Sequence, residues 1–389
     1  MSQSISHKAV QLAPSGIRRF FEVANEIPDV ISLGVGQPDF MTPMPIRQAA
    51  MQCIREGKTY YTANAGLMEL RQAISQYIDV KHDLHYDPRS EIVVTVGGSE
   101  AIDMVCRAII NPGDEVICID PSYVSYAPSI KLADGVVVPV TLRADRNFIL
   151  TPEDLEAAIT PQTKAMIINF PNNPTGASMS KEELAALVPV IEAHDLYVIT
   201  DEIYSELNYN QEHLVSIAAF PGMKERTIYI NGFSKSFAMT GWRLGYACAP
   251  HEIMEQMIKI HQFTIMAAPT ISQYAGIVAL RDCDHDVQVM RQSYQQRRNF
   301  LMARFKDMGL PCFEPQGAFY TFPDISEFGL SSEEFALKLL DEEKLAVVPG
   351  SAFGEGGEGH IRISYAYSLN ELEAAVEKLN HFIQKLRQD

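Results

Sequence analysis

Lys235 lies in the run Asn231-Gly232-Phe233-Ser234-Lys235-Ser236-Phe237-Ala238-Met239-Thr240-Gly241-Trp242-Arg243-Leu244-Gly245, directly after the apolar, strand-like Thr227-Ile228-Tyr229-Ile230. A lysine in a dry, packed site loses proton affinity, because burial disfavours its charged form. The neutral amine can then attack an aldehyde and form a Schiff base. Arg243, eight residues on, can hold a phosphate through forked hydrogen bonds. An amine and a phosphate clamp so close together suit an aldehyde that carries a phosphate, which is the chemistry of pyridoxal phosphate. Polar groups for the same cofactor also come from two further segments, Pro171-Asn172-Asn173-Pro174-Thr175-Gly176 and Asp201-Glu202-Ile203-Tyr204.

The elements that must position these groups follow from periodicity. Ile92-Val93-Val94-Thr95-Val96 reads as a buried strand, followed by Gly97-Gly98-Ser99 and an amphipathic helix over 101–110. Residues 67–80 carry apolar side chains at helical spacing. Further apolar runs at 116–119, 165–170 and 197–200 read as strands, the last ending at Asp201. Thr151-Pro152-Glu153-Asp154 and Ser180-Lys181-Glu182-Glu183 are helix starts, the second a capping box. Helices alternating with all-apolar strands imply a largely parallel sheet covered on both faces. Gly98-Ser99, Asn173, Asp201 and Lys235 all fall just past the C-terminal ends of strands, the edge at which open α/β sheets bind ligands. Beyond residue 280 the pattern changes to helices over 289–305, 332–340 and 369–386 with strands over 319–322 and 360–365, a second and smaller α+β unit.

Composition excludes several classes of function. The chain has 389 residues and a net charge of −17, which makes nucleic acid and anionic membranes poor partners. No signal-peptide core is present at the N-terminus, and no apolar run approaches the roughly 18 residues of a membrane span. Cys53, Cys106, Cys118, Cys248, Cys283 and Cys312 form no C-x-x-C pair. They read as buried, reduced thiols of a cytoplasmic protein, and the Cys and His spacing argues against a metal site.

The ordered set Asn173, Asp201, Tyr204, Lys235, Arg243, Arg362 resembles that of the class I/II aminotransferases among the fold-type-I pyridoxal-phosphate enzymes, from Gly34 to the last helix. The resemblance implies a large cofactor-binding domain over 44–285, with a mostly parallel central sheet flanked by helices. It also implies a small α+β domain made of 1–43 and 286–389. By the same resemblance Lys235 carries the cofactor and shuttles the substrate proton. Asp201 faces the pyridine nitrogen, while Asn173 and Tyr204 donate to the ring oxygen and Tyr123 stacks on the ring. Gly98, Ser99 and Arg243 receive the phosphate. Relatives often place a hydroxyl three residues before the lysine, where this chain has Gly232; Ser234 is the alternative donor. Tyr61, rather than its neighbour Tyr60, matches the tyrosine that reaches the phosphate of a neighbouring subunit, which implies a homodimer with shared active sites. Arg362 grips the substrate α-carboxylate, and Gly36 lets the backbone approach it.

The implied activity is transfer of an amino group between an L-amino acid and a 2-oxo acid by a ping-pong cycle, with 2-oxoglutarate as the acceptor of family habit. The segment 263–270 has no basic residue, which suits aromatic or broad donors over aspartate. Arg107 is the candidate cation for a distal carboxylate if aspartate is the donor. The alternatives are a C–S β-lyase of the same fold and, remotely, a non-enzymatic cofactor-binding regulator.

Overall fold

In a computed structural model, residues 5–12, 27–209 and 214–388 are described. The strands in chain order are β1 (Ile31–Ser32), β2 (Ile92–Thr95), β3 (Glu115–Asp120), β4 (Val136–Thr141), β5 (Thr163–Ile168) and β6 (Tyr197–Asp201). They continue with β7 (Thr227–Gly232), β8 (Gly245–Cys248), β9 (Tyr320–Thr321), β10 (Leu345–Ala346), β11 (Val348–Pro349) and β12 (Ile361–Ser364).

The central sheet has seven strands in the order β2-β8-β7-β6-β5-β3-β4. The strands β4, β3, β5, β6 and β7 run parallel, whereas β8 is antiparallel to both of its neighbours, β2 and β7. Reversal of one strand has a simple consequence. The C-terminal ends of β2, β5, β6 and β7 share a rim with the start of β8, so the residues just before β8 arrive at the same edge.

The strands are apolar throughout because both faces are covered. Along β3, Val116 and Cys118 enter a core with the helix Gly97–Ile109, while Ile117 and Ile119 enter another with Leu184, Leu187 and Ile191 of the helix Lys181–Ala193. Residues i and i+2 of a strand share a face, and β5 divides the same way, Ala165 and Ile167 against Met166 and Ile168. The expected helix starts are present: Thr151 Oγ1 accepts from the Asp154 amide, and Ser180 and Glu183 complete a capping box.

Some boundaries differ from the sequence reading. The strand expected over 165–170 stops at Ile168, because Asn169 leaves the ladder and bonds to two other segments. Its Nδ2 donates to the Asp201 carbonyl (2.7 Å) and its Oδ1 accepts from the Asn173 amide (3.0 Å). The strand over 319–322 shortens to Tyr320–Thr321, and the one over 360–365 to Ile361–Ser364. The helix expected from residue 289 begins at Asp284 and ends at Asp307, and the helix expected from residue 101 begins at Gly97.

The C-terminal part carries the antiparallel set β11-β12-β9. The N-terminal segment joins it: β1 pairs in parallel with β10, Ile31 opposite Leu345. All six cysteines are free, with no disulfide. Among the described residues no helix is long and apolar enough to cross a membrane.

Candidate active site

A cavity of about 420 Å³ opens at the strand rim. Gly36, Gly98, Ser99, Tyr123, Asn173, Asp201, Tyr204, Ser234, Lys235, Arg243 and Arg362 all line it. Tyr61 does not: its side chain is 84% exposed and lies off the cavity of its own chain, as does that of Tyr60.

Lys235 follows β7 by three residues and extends into the cavity, where its Nζ donates to the Gly36 carbonyl (2.6 Å). Burial lowers its pKa to about 8, helped by the positive charges of Arg362 and Arg243 and opposed by Asp201. Asp201 ends β6. Its Oδ2 accepts from Tyr126 Oη (2.8 Å) and its Oδ1 from the Ile203 amide (3.2 Å). Burial raises its pKa to about 6, against the pull of the Tyr126 hydrogen bond, the Ile203 amide and Lys235. The cavity therefore places a weakened base opposite a fixed acidic group.

Arg243 reaches the rim because β8 is reversed, and it takes a left-handed backbone (φ 51°) just before the strand starts. Its guanidinium lies over the start of the helix Gly97–Ile109. A Cβ at Gly97 would stand 2.5 Å from Arg243 Nη2, and one at Gly245 would stand 2.6 Å from the Gly97 carbonyl carbon. Two glycines thus bring a cation against a helix N-terminus, a combination that attracts anions. Arg243 itself is exposed and donates from Nη1 to the Thr240 carbonyl (3.0 Å).

Arg362 is buried in the middle of β12, with Ile361 and Ile363 turned into the core on the other face. Its Nη1 donates to Asn173 Oδ1 (2.8 Å) and its Nη2 to the Gly34 carbonyl (2.6 Å). Tyr320 and Phe353 place their rings 4.3 Å and 4.6 Å from the guanidinium carbon. The hydrogen-bond acceptors are neutral, and Nε is buried without a partner. A buried cation held only by neutral groups is poised for a ligand carboxylate.

The family model for aminotransferase class I and II matches residues 28–379. The chain belongs to the class I and II aminotransferases. YugH of Bacillus subtilis is 49% identical over 385 residues, covering 99% of this chain and all of that one. An aspartate aminotransferase of Pyrococcus abyssi is 44% identical, with 96% of each chain covered. The crystal structure of an aromatic aminotransferase from Pyrococcus horikoshii superposes with a TM-score of 0.91 at 42% identity, over 95% of this chain and 99% of that one.

Several cavity residues of this aminotransferase were not singled out by sequence. Tyr126, Asn169 and Tyr320 all line the cavity. Tyr126 and Tyr320 read as ordinary core aromatics and Asn169 as part of a strand, and their roles arise from contacts with residues dozens to over a hundred positions away. Arg107, the candidate for a distal carboxylate, is corrected by the structure. It lies ten residues from the start of its helix, about 15 Å along the axis. There it is exposed and donates from Nε to Asp103 Oδ2 (2.8 Å), away from the cavity. The glycine at 232 also has a reason. A Cβ there would meet Ile203 Cδ1 at 3.0 Å and the β8 backbone at 3.2 Å, so β7 and β8 are too close for a serine without rearrangement. Asp79, Asp83 and His85 come together at an exposed helix end, where His85 Nδ1 lies 2.7 Å from Asp79 Oδ1; pairing of the ring with carboxylates accounts for the group.

Proposed function

We propose that this aminotransferase holds pyridoxal phosphate in the rim cavity and takes its amino group from aromatic or other large neutral L-amino acids. The donor set fits the cofactor. Asn173 Oδ1 is occupied by Arg362, which leaves its Nδ2 hydrogens for a ring oxygen beside the Tyr204 hydroxyl. Arg243 and the first amides of the Gly97–Ile109 helix suit the phosphate, and Ser99 and Ser234 also line the cavity. Tyr123 supplies an aromatic face. When bound, pyridoxal phosphate supplies an aldehyde for the amino group and a ring that withdraws electrons.

The chain's own groups do the rest. Lys235, with its pKa lowered to about 8, is a competent base near neutrality and moves the proton at the substrate Cα. Asp201, backed by Tyr126, would hold a negative charge for the ring nitrogen. Arg362 orients the substrate by its α-carboxylate in a bidentate pair. The cycle is ping-pong: one 2-oxo acid leaves before a second enters.

One observation carries the donor class. Among the described residues the cavity has two arginines, and both are committed, Arg243 to phosphate and Arg362 to the α-carboxylate. Ile102, Val35 and Tyr123 make the remaining wall neutral. An unmatched distal carboxylate in such a wall is costly. Single-turnover release of 2-oxo acid by cofactor-loaded protein tests this. Phenylalanine and tyrosine should outpace aspartate by about tenfold or more, the scale of one unpaired charge-assisted hydrogen bond; faster aspartate turnover refutes the donor assignment.

The active enzyme is read as a homodimer. Tyr60, Tyr61, Phe263, Ile265 and Met266 are exposed, Phe263 in the last turn of the helix His251–Thr264 and the others on two segments tied by Thr270 Oγ1 to the Tyr60 carbonyl (2.6 Å) and Asn64 Nδ2 to the Met266 carbonyl (2.8 Å). Exposed apolar side chains on neighbouring segments suit burial against a second copy, from which Tyr61 reaches the partner's phosphate site.

A further inference from the structure

Tyr320 touches two groups that the proposed function uses, Arg362 and Tyr204, and no step of that function yet employs its hydroxyl. It is fully buried and opens β9, opposite Ser364 of β12, the strand that carries Arg362. Its ring faces the Arg362 guanidinium at 4.3 Å. Its hydroxyl abuts Gly36, where a Cβ would collide with it. That same hydroxyl lies 2.9 Å from the Tyr204 hydroxyl, the two rings meeting edge to face with centroids 5.9 Å apart.

Hydrogen counting orients this pair. Either phenol can be the donor, and each has one hydrogen to give. Once Tyr204 gives its hydrogen to an anionic oxygen in the cavity, the contact stays bonded only if Tyr320 donates to Tyr204. A hydroxyl that accepts a hydrogen bond becomes a stronger donor, and the effect grows in a buried site. Tyr320 cannot easily turn elsewhere, because Gly36 and the Arg362 guanidinium hem in its ring.

Resting on the cofactor reading above, we propose that Tyr320 is a positioning residue: its hydroxyl donates to Tyr204 and so strengthens the bond that Tyr204 gives to the cofactor's ring oxygen. A hydrogen bond donated to that oxygen favours its anionic form. It therefore lowers the pH at which the bound cofactor's visible absorbance changes, and weakening the bond raises that pH.

The test is a pH titration of the visible absorbance of purified protein with pyridoxal phosphate added. Tyr320→Phe keeps the ring against Arg362 and removes only the hydroxyl. Its midpoint should rise by about half a pH unit, the scale of one weakened neutral hydrogen bond. Tyr204→Phe should raise it further, and Tyr204→Phe/Tyr320→Phe should match Tyr204→Phe alone, since the relay then has no middle member. An unchanged midpoint in Tyr320→Phe, with or without a higher KM for the amino donor, overturns the relay. So does a Tyr320→Phe shift that persists in the Tyr204→Phe background. If the wild-type protein shows no pH-dependent visible band, or Lys235→Ala shows the same band, the cofactor reading itself fails and takes this inference with it.

Discussion

The two ends of the cavity are held in opposite ways. At the Asp201 end each carboxylate oxygen accepts a hydrogen bond from the protein, and the segment is braced from behind by Asn169. At the Arg243 end the cation is exposed and, among the described residues, donates to the carbonyl of nearby Thr240. On the proposed cofactor reading, the difference follows from what each end would do. A carboxylate that tunes a single ring nitrogen acts through its exact position and charge state, so both are set before the ligand arrives. A phosphate brings its own charge and several strong acceptor oxygens, so its grip can be completed on binding.

That contrast can be broken by substitution, beginning with the residue between the two ends. Lys235→Met should lower turnover by about 10⁴-fold, the upper range for loss of a positioned acid–base group, and abolish the visible absorbance of added cofactor. The same variant tests the cost of holding an amine in the cavity. In the fold its pKa, about 8, lies below the ordinary 10.5, so between those values the unfolded chain binds more protons. The charged lysine thus destabilises the cofactor-free fold fully below pH 8, and the penalty fades as pH rises towards 10.5. Thermal unfolding should show Lys235→Met melting above wild type at pH 7, with the gain shrinking by pH 10. A constant gain would assign the effect to packing.

Next in size is Asp201→Asn, expected to cut kcat by about 10²-fold, the scale of one preorganised electrostatic partner, with cofactor affinity nearly kept. A loss chiefly in affinity would mean that this end grips and does not tune. The smallest effect belongs to Arg243→Gln. Its dissociation constant for pyridoxal phosphate should rise about 10- to 30-fold, as for one charge-assisted hydrogen bond, while kcat at saturating cofactor changes little. Equilibrium dialysis and steady-state kinetics together separate the two ends.

Much of the site was legible because its groups sit at strand ends. Asp201 and Lys235 follow unbroken apolar runs, and such runs in an alternating chain can only be buried parallel strands, so their ends fall on one rim. The strands β4 and β8 were not legible. Gly245–Cys248 is four residues long and begins at a glycine, with no alternation to mark it. Its reversed direction, which delivers Arg243, is a property of the assembled sheet. Arg362 was legible as the one charge between two isoleucines, since alternation places it opposite the core. Tyr126 and Tyr320 were hidden for the converse reason: an aromatic in an apolar context reads as core whether or not its hydroxyl faces a cavity.

By itself the amino-acid sequence determined the family, the apolar strands, the helix caps and the order of the chemical groups, because these depend on local pattern and spacing. The tertiary structure alone decided that Lys235 rests on the Gly36 carbonyl, that Tyr126 holds Asp201, that Tyr320 meets Tyr204, and that Arg107 points away. Each of these joins residues far apart in the chain, and only the packing of the sheet, the N-terminal segment and the C-terminal strands fixes the few ångströms on which hydrogen bonding depends.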